Sequence, residues 1–260
     1  MAEQKKRKVA LVTGGAKGIG REISLGMAEA GYDVVINYHN RPAEAEELLK
    51  QVRTMGGDAL TIYADIAKLN DIRQMYDAIY EHFGTLDVVI NNAGVGVEAY
   101  FLDSTEEMFD FMTSVDWKGL FFCSQEAARR MIAQEKHGVI INISSNQSIG
   151  NWPRSTIYGP MKAAVEKFTK NAAMELASKG IRMCAVAPGY TDVGWPPDDN
   201  RWAAAKRLPL KRFASMREIA RGCVYLASED AAYITGTTLY IDGGALLPVV
   251  AENDFVKPQE

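Results

Sequence analysis

Cysteine is scarce in this 260-residue chain. Cys123, Cys184 and Cys223 stand far apart with no Cys-x-x-Cys pair, so neither a disulfide framework nor a metal site is expected. A reducing, cytoplasmic setting suits that composition. Long apolar runs are missing too, and none approaches the ~18 to 20 residues that a bilayer span needs. The basic run Lys5 to Lys8 leads only into Val9 to Val12 before glycines intervene, which reads as a solvated lead-in to a strand rather than a signal peptide. There is no excess of positive charge: 29 Lys and Arg face 33 Asp and Glu, leaving -4. The chain therefore lacks the field that nucleic acid or an anionic membrane surface would call for, and neither is an expected partner. Repeats, low-complexity tracts and linkers are absent as well. What remains is 47% apolar and 24% charged, the make-up of a globular protein with a sizeable core.

Short apolar runs alternate with helical patterns. Strands are predicted at about 8–13, 33–37, 59–63, 87–91, 138–143, 182–187 and 237–241, and helices at about 18–30, 42–55, 70–83, 104–135, 156–178 and 216–227. Val- and Ile-rich strands without strict polar alternation suit a parallel sheet covered on both faces. The expectation is one α/β domain over 1–260, doubly wound around a mostly seven-stranded parallel sheet, with a less regular segment at about 189–215 and a tail at about 245–260.

The first strand runs into Thr13-Gly14-Gly15-Ala16-Lys17-Gly18-Ile19-Gly20, and a helix follows. Glycines let backbone approach a pyrophosphate, and the helix start offers unpaired N–H groups at the positive end of its dipole. This predicts a dinucleotide site. Folds that prefer NAD usually place an acid at the end of the second strand, about 20 residues on. Here that point reads Asn37-Tyr38-His39-Asn40-Arg41, while Asp33 sits at the strand's other end. Lys17, His39 and Arg41 are instead suited to a 2′-phosphate, so NADP(H) is the expected cofactor. The competing reading makes Lys17 and Arg41 plain surface charges.

Tyr158-Gly159-Pro160-Met161-Lys162 follows further on. A helix starting near Ser155 or Thr156, capped by either, puts Tyr158 and Lys162 on one face and Pro160 in or near the first turn. Upstream, the strand ending at Ile143 delivers Ser144 and Ser145 at its carboxyl end, the ligand-binding edge of open α/β sheets.

Taken together, these pieces resemble the short-chain dehydrogenase/reductase family along nearly the whole chain. The matching pieces are Thr13 to Gly20, Asp65 after the third strand, Asn91-Asn92-Ala93-Gly94, a serine thirteen residues before Tyr158, Tyr158 to Lys162, Pro188-Gly189 and Asp242-Gly243-Gly244. The resemblance implies a ketone and secondary-alcohol oxidoreductase, with a small carbonyl or alcohol as substrate. It selects Ser145 over Ser144 and Ser148 as the second hydrogen-bond donor, with Tyr158 as general acid/base. Lys162 would assist by binding the nicotinamide ribose and favouring phenolate, since a free phenol titrates near ~10. The cofactor set it implies is Gly14, Lys17, Gly18, Ile19, Gly20, His39, Arg41, Asp65, Ile66, Asn92, Ala93, Gly94, Tyr158, Lys162, Pro188, Gly189 and Thr191. Asp65 and Ile66 would meet the adenine. Two residues depart from the family pattern. Asp116 stands where asparagine is common and would help hold a proton-relay water near Lys162, partly through its backbone carbonyl. Val193 stands where a threonine often contacts the nicotinamide, with Thr191 as its substitute.

Substrate loops are expected at about 95–103, 146–155 and 189–210, bearing Tyr100, Phe101, Trp152, Tyr190, Trp195 and Trp202. These aromatics either stack on a ligand or close the loops. A 3-oxoacyl thioester, a sugar as in glucose 1-dehydrogenases, and a hydroxysteroid all remain open as substrates, with Arg129 and Arg130 as a candidate dock for an acidic carrier protein. A dinucleotide sensor without turnover is the alternative from another class, weakened by the presence of both Tyr158 and Lys162. The helices at about 104–135 and 156–178 are expected to pair across a two-fold axis into a homodimer or homotetramer, with Leu246, Leu247, Val249 and Val250 as further apolar surface.

Overall fold

The computed structural model describes residues 7–247. Val249 and Val250, offered above as assembly surface, and Lys5 and Lys6 of the basic run lie outside them.

The first half alternates β1 (Val9–Val12), α1 (Gly18–Glu29), β2 (Asp33–Tyr38), α2 (Pro42–Thr54), β3 (Ala59–Tyr63), α3 (Leu69–Phe83) and β4 (Val88–Asn91). Then come α4 (Glu106–Met112), a π-helical segment Thr113–Gly119, α5 (Leu120–Ala133), β5 (Gly138–Ile143), α6 (Tyr158–Leu176) and β6 (Ile181–Pro188). Short strands β7 (Thr191–Asp192) and β8 (Ala214–Ser215) precede α7 (Met216–Ala227) and β9 (Thr238–Ile241). The main sheet has seven strands in the order β3-β2-β1-β4-β5-β6-β9, and every pairing is parallel. The chain winds outward from β1 to β3, then returns to the other side of β1 with β4. Loops leaving β1 and β4 therefore diverge and open a crevice at the carboxyl edge.

Alternate residues of each strand serve different helix layers, which is why the strands are apolar throughout. Ala10 and Val12 face the layer of α1, α2 and α7, with Ile23, Met27, Leu48 and Cys223. Val9 and Leu11 face the layer of α3, α5 and α6, with Met75, Tyr76, Cys123 and Met131. A buried polar band crosses the second layer. Asn91 Nδ2 donates to Ser124 Oγ at 2.8 Å and to Asn142 Oδ1 at 2.9 Å, and Asn142 Nδ2 donates to Thr169 Oγ1 at 2.9 Å. It ties α5 and α6 to β4 and β5.

One expectation gains detail and another needs correction. The helix predicted over 104–135 runs without interruption from Glu106 to Ala133 but widens to a π-helical segment between α4 and α5. The wider turn carries Asp116 inward, and Gly119 closes against the main chain after β3, where an added Cβ would stand 2.6 Å from the Ile66 carbonyl oxygen. The helix predicted from about 156 begins at Tyr158 with neither Ser155 nor Thr156 capping it through a side chain. Ser155 Oγ is spent on Gln147 Oε1, while its carbonyl oxygen accepts the Gly159 N–H at 3.0 Å. Pro160 lies in the first turn as expected.

Asn142→Leu, close in volume, leaves Asn91 and Thr169 without their buried partner, so it is expected to cost about 2 to 3 kcal/mol of stability. Urea unfolding measures this; a variant as stable as the parent would show the band to be dispensable.

Candidate active site

The turn after β1 is held from three sides. Gly14 adopts φ +59°, open to glycine without strain, and its N–H donates to Asn37 Oδ1 at 3.1 Å, while the Gly15 N–H donates to the Asn37 carbonyl at 2.9 Å. Asn92 and Ala93 both donate their N–H to Thr13 Oγ1 at 3.0 Å, and Asn92 Nδ2 donates to the carbonyls of Thr13 and Gly14. Gly20 has no room for a side chain, with a notional Cβ 2.3 Å from the Gly14 carbonyl oxygen and 2.5 Å from Asn92 Nδ2. Gly18, at φ +55°, faces open space instead. No side chain caps α1 and no acid lies in its first turn, which leaves N–H groups there for an anion. The turn thus fits a dinucleotide pyrophosphate.

Beside the turn, the expected residues are placed unevenly. Asn37, buried at the end of β2, turns inward, donating to the Ile62 and Ala64 carbonyls. His39 is exposed, its ring 4.0 Å from Asp65 Oδ2, and Lys68 Nζ lies 3.5 Å from the same oxygen. Arg41 pairs with Glu44 at 2.7 Å on the surface, an ion pair of small worth that an incoming phosphate can displace. The Ile66 side chain belongs to the core around Met75 and Cys123, leaving only its main chain for an adenine.

The cleft at the carboxyl edge has a volume of about 950 Å³. Ile19, Asn92, Gly94, Asp116, Ser145, Tyr158, Lys162, Pro188, Gly189 and Thr191, all expected from sequence, converge on it. Lys162 is almost wholly buried; its ammonium donates to the Ile143 carbonyl at 3.1 Å, lies 3.3 Å from Asp116 Oδ2 and sits 5.3 Å from the Tyr158 ring centre. Burial works against that charge, but the attraction of Tyr158 and then Asp116 outweighs it and holds the pKa above the usual 10.5. Asp116 Oδ1 accepts the Val95 N–H at 2.7 Å. The relay role expected of Asp116 rested on its backbone; the structure adds a side-chain ion pair to Lys162 that an asparagine does not offer. Gly94 lies against this pair, a notional Cβ falling 3.4 Å from Asp116 Oδ1 and 3.6 Å from Lys162 Nζ.

Ser145, buried at the cleft floor, accepts the Gln147 N–H on Oγ at 3.2 Å, and its hydroxyl hydrogen has no acceptor among the described residues. The oxygen is therefore oriented while its proton stays free to donate. Thr191 Oγ1 donates to the Gly189 carbonyl at 3.1 Å, and Val193 lines the mouth.

The loop aromatics divide between packing on one another and lining the cleft. Trp202 stacks on Phe213 at 4.9 Å, and Phe213 on Tyr190 at 5.2 Å, closing the loop on itself. Trp152, Tyr190 and Trp195 also face the cleft, with Trp152 Nε1 donating to Tyr190 OH at 3.0 Å. Tyr100 and Phe101 are exposed and away from it. Sequence reading missed the inward role of Asn37, whose signal was a polar residue within an apolar strand, and the role of Glu166, whose signal was a carboxylate in the apolar spacing of α6.

The chain matches, over residues 14–245, the sequence pattern of a family described as enoyl-(acyl carrier protein) reductase. It is 39% identical to a 3-oxoacyl-acyl-carrier-protein reductase of Staphylococcus aureus over 246 residues, covering 92% of this chain and 98% of that one. It is 36% identical to glucose 1-dehydrogenase 2 of Bacillus subtilis, covering 92% and 95%. Among solved structures, acetoin dehydrogenase of Salmonella typhimurium superposes with TM-score 0.87 at 34% identity, covering 94% of this chain and 98% of that one.

Asp116→Asn removes the charge partner of a buried ammonium and is expected to cost about 3 kcal/mol near neutral pH. Because the folded pKa of Lys162 is raised, its stabilisation is complete below the unfolded value of 10.5 and is lost as pH rises through the folded value. The stability gap between parent and variant should therefore narrow above pH 10.5. Denaturant unfolding across the alkaline range tests it, and a gap that widens there refutes the ion pair.

Proposed function

The chain belongs to the short-chain dehydrogenase/reductase family, an oxidoreductase family, and we propose that it interconverts a ketone and a secondary alcohol with NADP(H), using Tyr158 as general acid/base. The observation that carries this reading is the convergence of Ser145, Tyr158 and the Lys162–Asp116 pair on one cleft.

NADPH, when bound, supplies the hydride. Gly14, Gly18 and Gly20 with the start of α1 would hold its pyrophosphate, and Gly94, Gly189 and Thr191 would border its nicotinamide end. In the reducing direction, negative charge develops on the carbonyl oxygen. The Tyr158 hydroxyl gives that oxygen its proton, and the uncommitted Ser145 hydrogen donates a second hydrogen bond to it. An ammonium has three donors; Lys162 gives one to the Ile143 carbonyl and faces Asp116 Oδ2 as an ion pair at 3.3 Å. A donor is left for a ribose hydroxyl. Its charge beside the Tyr158 ring favours the phenolate left behind. In the oxidising direction the same phenolate takes the alcohol proton.

NADP(H) is preferred because β2 ends on Asn37-Tyr38 with no acid there, and Asn37 is spent on the turn and on the Ala64 carbonyl. Lys17, His39 and Arg41 then supply charge for a 2′-phosphate. Small ketones and hydroxyketones suit the cleft better than a carrier-bound chain. Arg130, one of the two arginines considered for carrier docking, is held by Asp77 at 2.6 Å and Glu126 at 2.7 Å. Trp152, Tyr190 and Trp195 wall the mouth, and the names of relatives include acetoin and glucose dehydrogenases. We place the protein in the cytoplasm as a homodimer or homotetramer paired through α4, α5 and α6. Phe109 and Phe111 are exposed there, near the Trp117, Phe121 and Phe168 cluster. No helix among the described residues is long and apolar enough to cross a membrane.

Loss of NADPH and NADH absorbance against diketones, 3-oxoacyl thioesters and ketosteroids, with glucose oxidation by NADP+, tests the reaction. NADPH should win on a small ketone; a preference for NADH refutes the phosphate-site argument. Tyr158→Phe should abolish turnover while NADPH affinity stays within about ten-fold; unchanged turnover removes Tyr158 from the chemistry. Light scattering at micromolar concentration should give at least a dimer, and a monomer alone refutes the pairing.

A further inference from the structure

We infer that Glu166 is a positioning residue for Ser145, clamping the serine-bearing turn at both ends and fixing it to the helix that carries Tyr158 and Lys162. The assignment rests on the reaction proposed above.

Glu166 lies on α6, four residues after Lys162 and eight after Tyr158, and is 7% exposed. Its contacts are hydroxyls from separate parts of the fold. Oε1 accepts from Ser144 Oγ at 2.9 Å and from Ser148 Oγ at 2.5 Å, and Oε2 accepts from Tyr240 OH at 2.6 Å. Ser144 immediately follows β5, and Ser148 ends the short helical turn Asn146–Ser148 that Ser145 itself caps. One carboxylate oxygen therefore grips the residue before Ser145 and the residue that closes the turn after it. The other reaches across the sheet to β9.

A carboxylate suits this place for a chemical reason. Two oxygens with about four lone-pair sites accept three hydroxyl donors at once, whereas a glutamine offers one oxygen and an NH2 that accepts nothing. Burying an anion is costly unless such donors replace water. Tyr240 is held as a donor, since burial first and then its bond to Glu166 push its pKa up to about 12. Ser144 has one hydrogen to give, and its Oγ also lies 3.1 Å from the Lys162 carbonyl, so loss of the carboxylate frees it to turn toward α6. The turn then loses both grips, and the Ser145 hydroxyl loses its fixed place in the cleft it shares with Tyr158.

A double-mutant cycle decides the matter, with kcat measured on the ketone that turns over best. Glu166→Met, which removes both acceptor oxygens, is expected to lower kcat on the order of ten-fold or more, leaving NADPH affinity within about three-fold; Glu166→Gln, which keeps one oxygen able to accept from both serines, should fall less. Added to Ser145→Ala, Glu166→Met should change kcat by less than about two-fold, because the group it positions is gone. Tyr240→Phe, which removes only the distal donor, should lower kcat in the same sense by a smaller factor, and carries the test if Glu166→Met does not fold. Losses that multiply in the double variant, wild-type kcat in Glu166→Met, or wild-type kcat in Tyr240→Phe where Glu166→Met does not fold, overturn the assignment while leaving the reaction standing. Wild-type kcat in Ser145→Ala overturns the reaction reading itself, and the assignment with it.

Discussion

A buried ammonium is tolerated only where fixed partners replace its water, and the arrangement around Lys162 follows from that constraint. Its partners come from separate elements: the Ile143 carbonyl at the end of β5, the Asp116 carboxylate from the π-helical segment, and the Tyr158 ring one turn back on α6. None can shift without uncovering the charge. The π-helical turn makes sense in this light, since its extra residue brings a carboxylate inward from a helix whose outer face is aromatic. Gly94 lies beside the ion pair, where even a Cβ would stand in ordinary contact with both of its members.

The same requirement joins the two halves of the site. Asp116 Oδ1 takes the N–H of Val95, just beyond the Asn92-Ala93-Gly94 run that braces the phosphate turn through Thr13. Hydrogen bonds on Thr13 and Gly14, the main chain from Asn92 to Val95, and the Val95–Asp116 bond thus lead from the glycines after β1 to the Asp116–Lys162 ion pair. The turn and the tyrosine to which we assign cofactor binding and proton transfer share one frame, which would limit relative movement between a hydride donor and an acid acting on the same carbonyl.

What could be read from sequence was what is encoded locally. Strands β1, β4 and β5 show as apolar runs because both faces of a parallel sheet are buried. The glycines before α1 and the spacing of Tyr158 and Lys162 show because turn and helix geometry fix them within a few residues. The π-helical turn within the 104–135 helix did not show, since no proline or glycine marks its start. The start of α6 was misplaced because Ser155 finds Gln147 rather than its own helix. Asn37 was read only as the absence of an acid, although its side chain organises the turn.

Polar residues at the sheet's carboxyl edge divide by whether their donors are spent. Asn37, Asn91, Asn92 and Asn142 have side-chain amides engaged with protein acceptors, and they build the edge. Ser145 keeps its hydrogen, and the N–H groups at the start of α1 have no side-chain cap. Unspent donors beside a cleft are costly in folding terms unless a ligand takes them. They occur here at the points proposed above for a phosphate and a carbonyl oxygen, and again at Asn146 Nδ2, buried beside the cleft. The fold's strength lies in the first group and its reactivity in the second, and Ser144 and Ser145, adjacent in sequence, fall on opposite sides of that line.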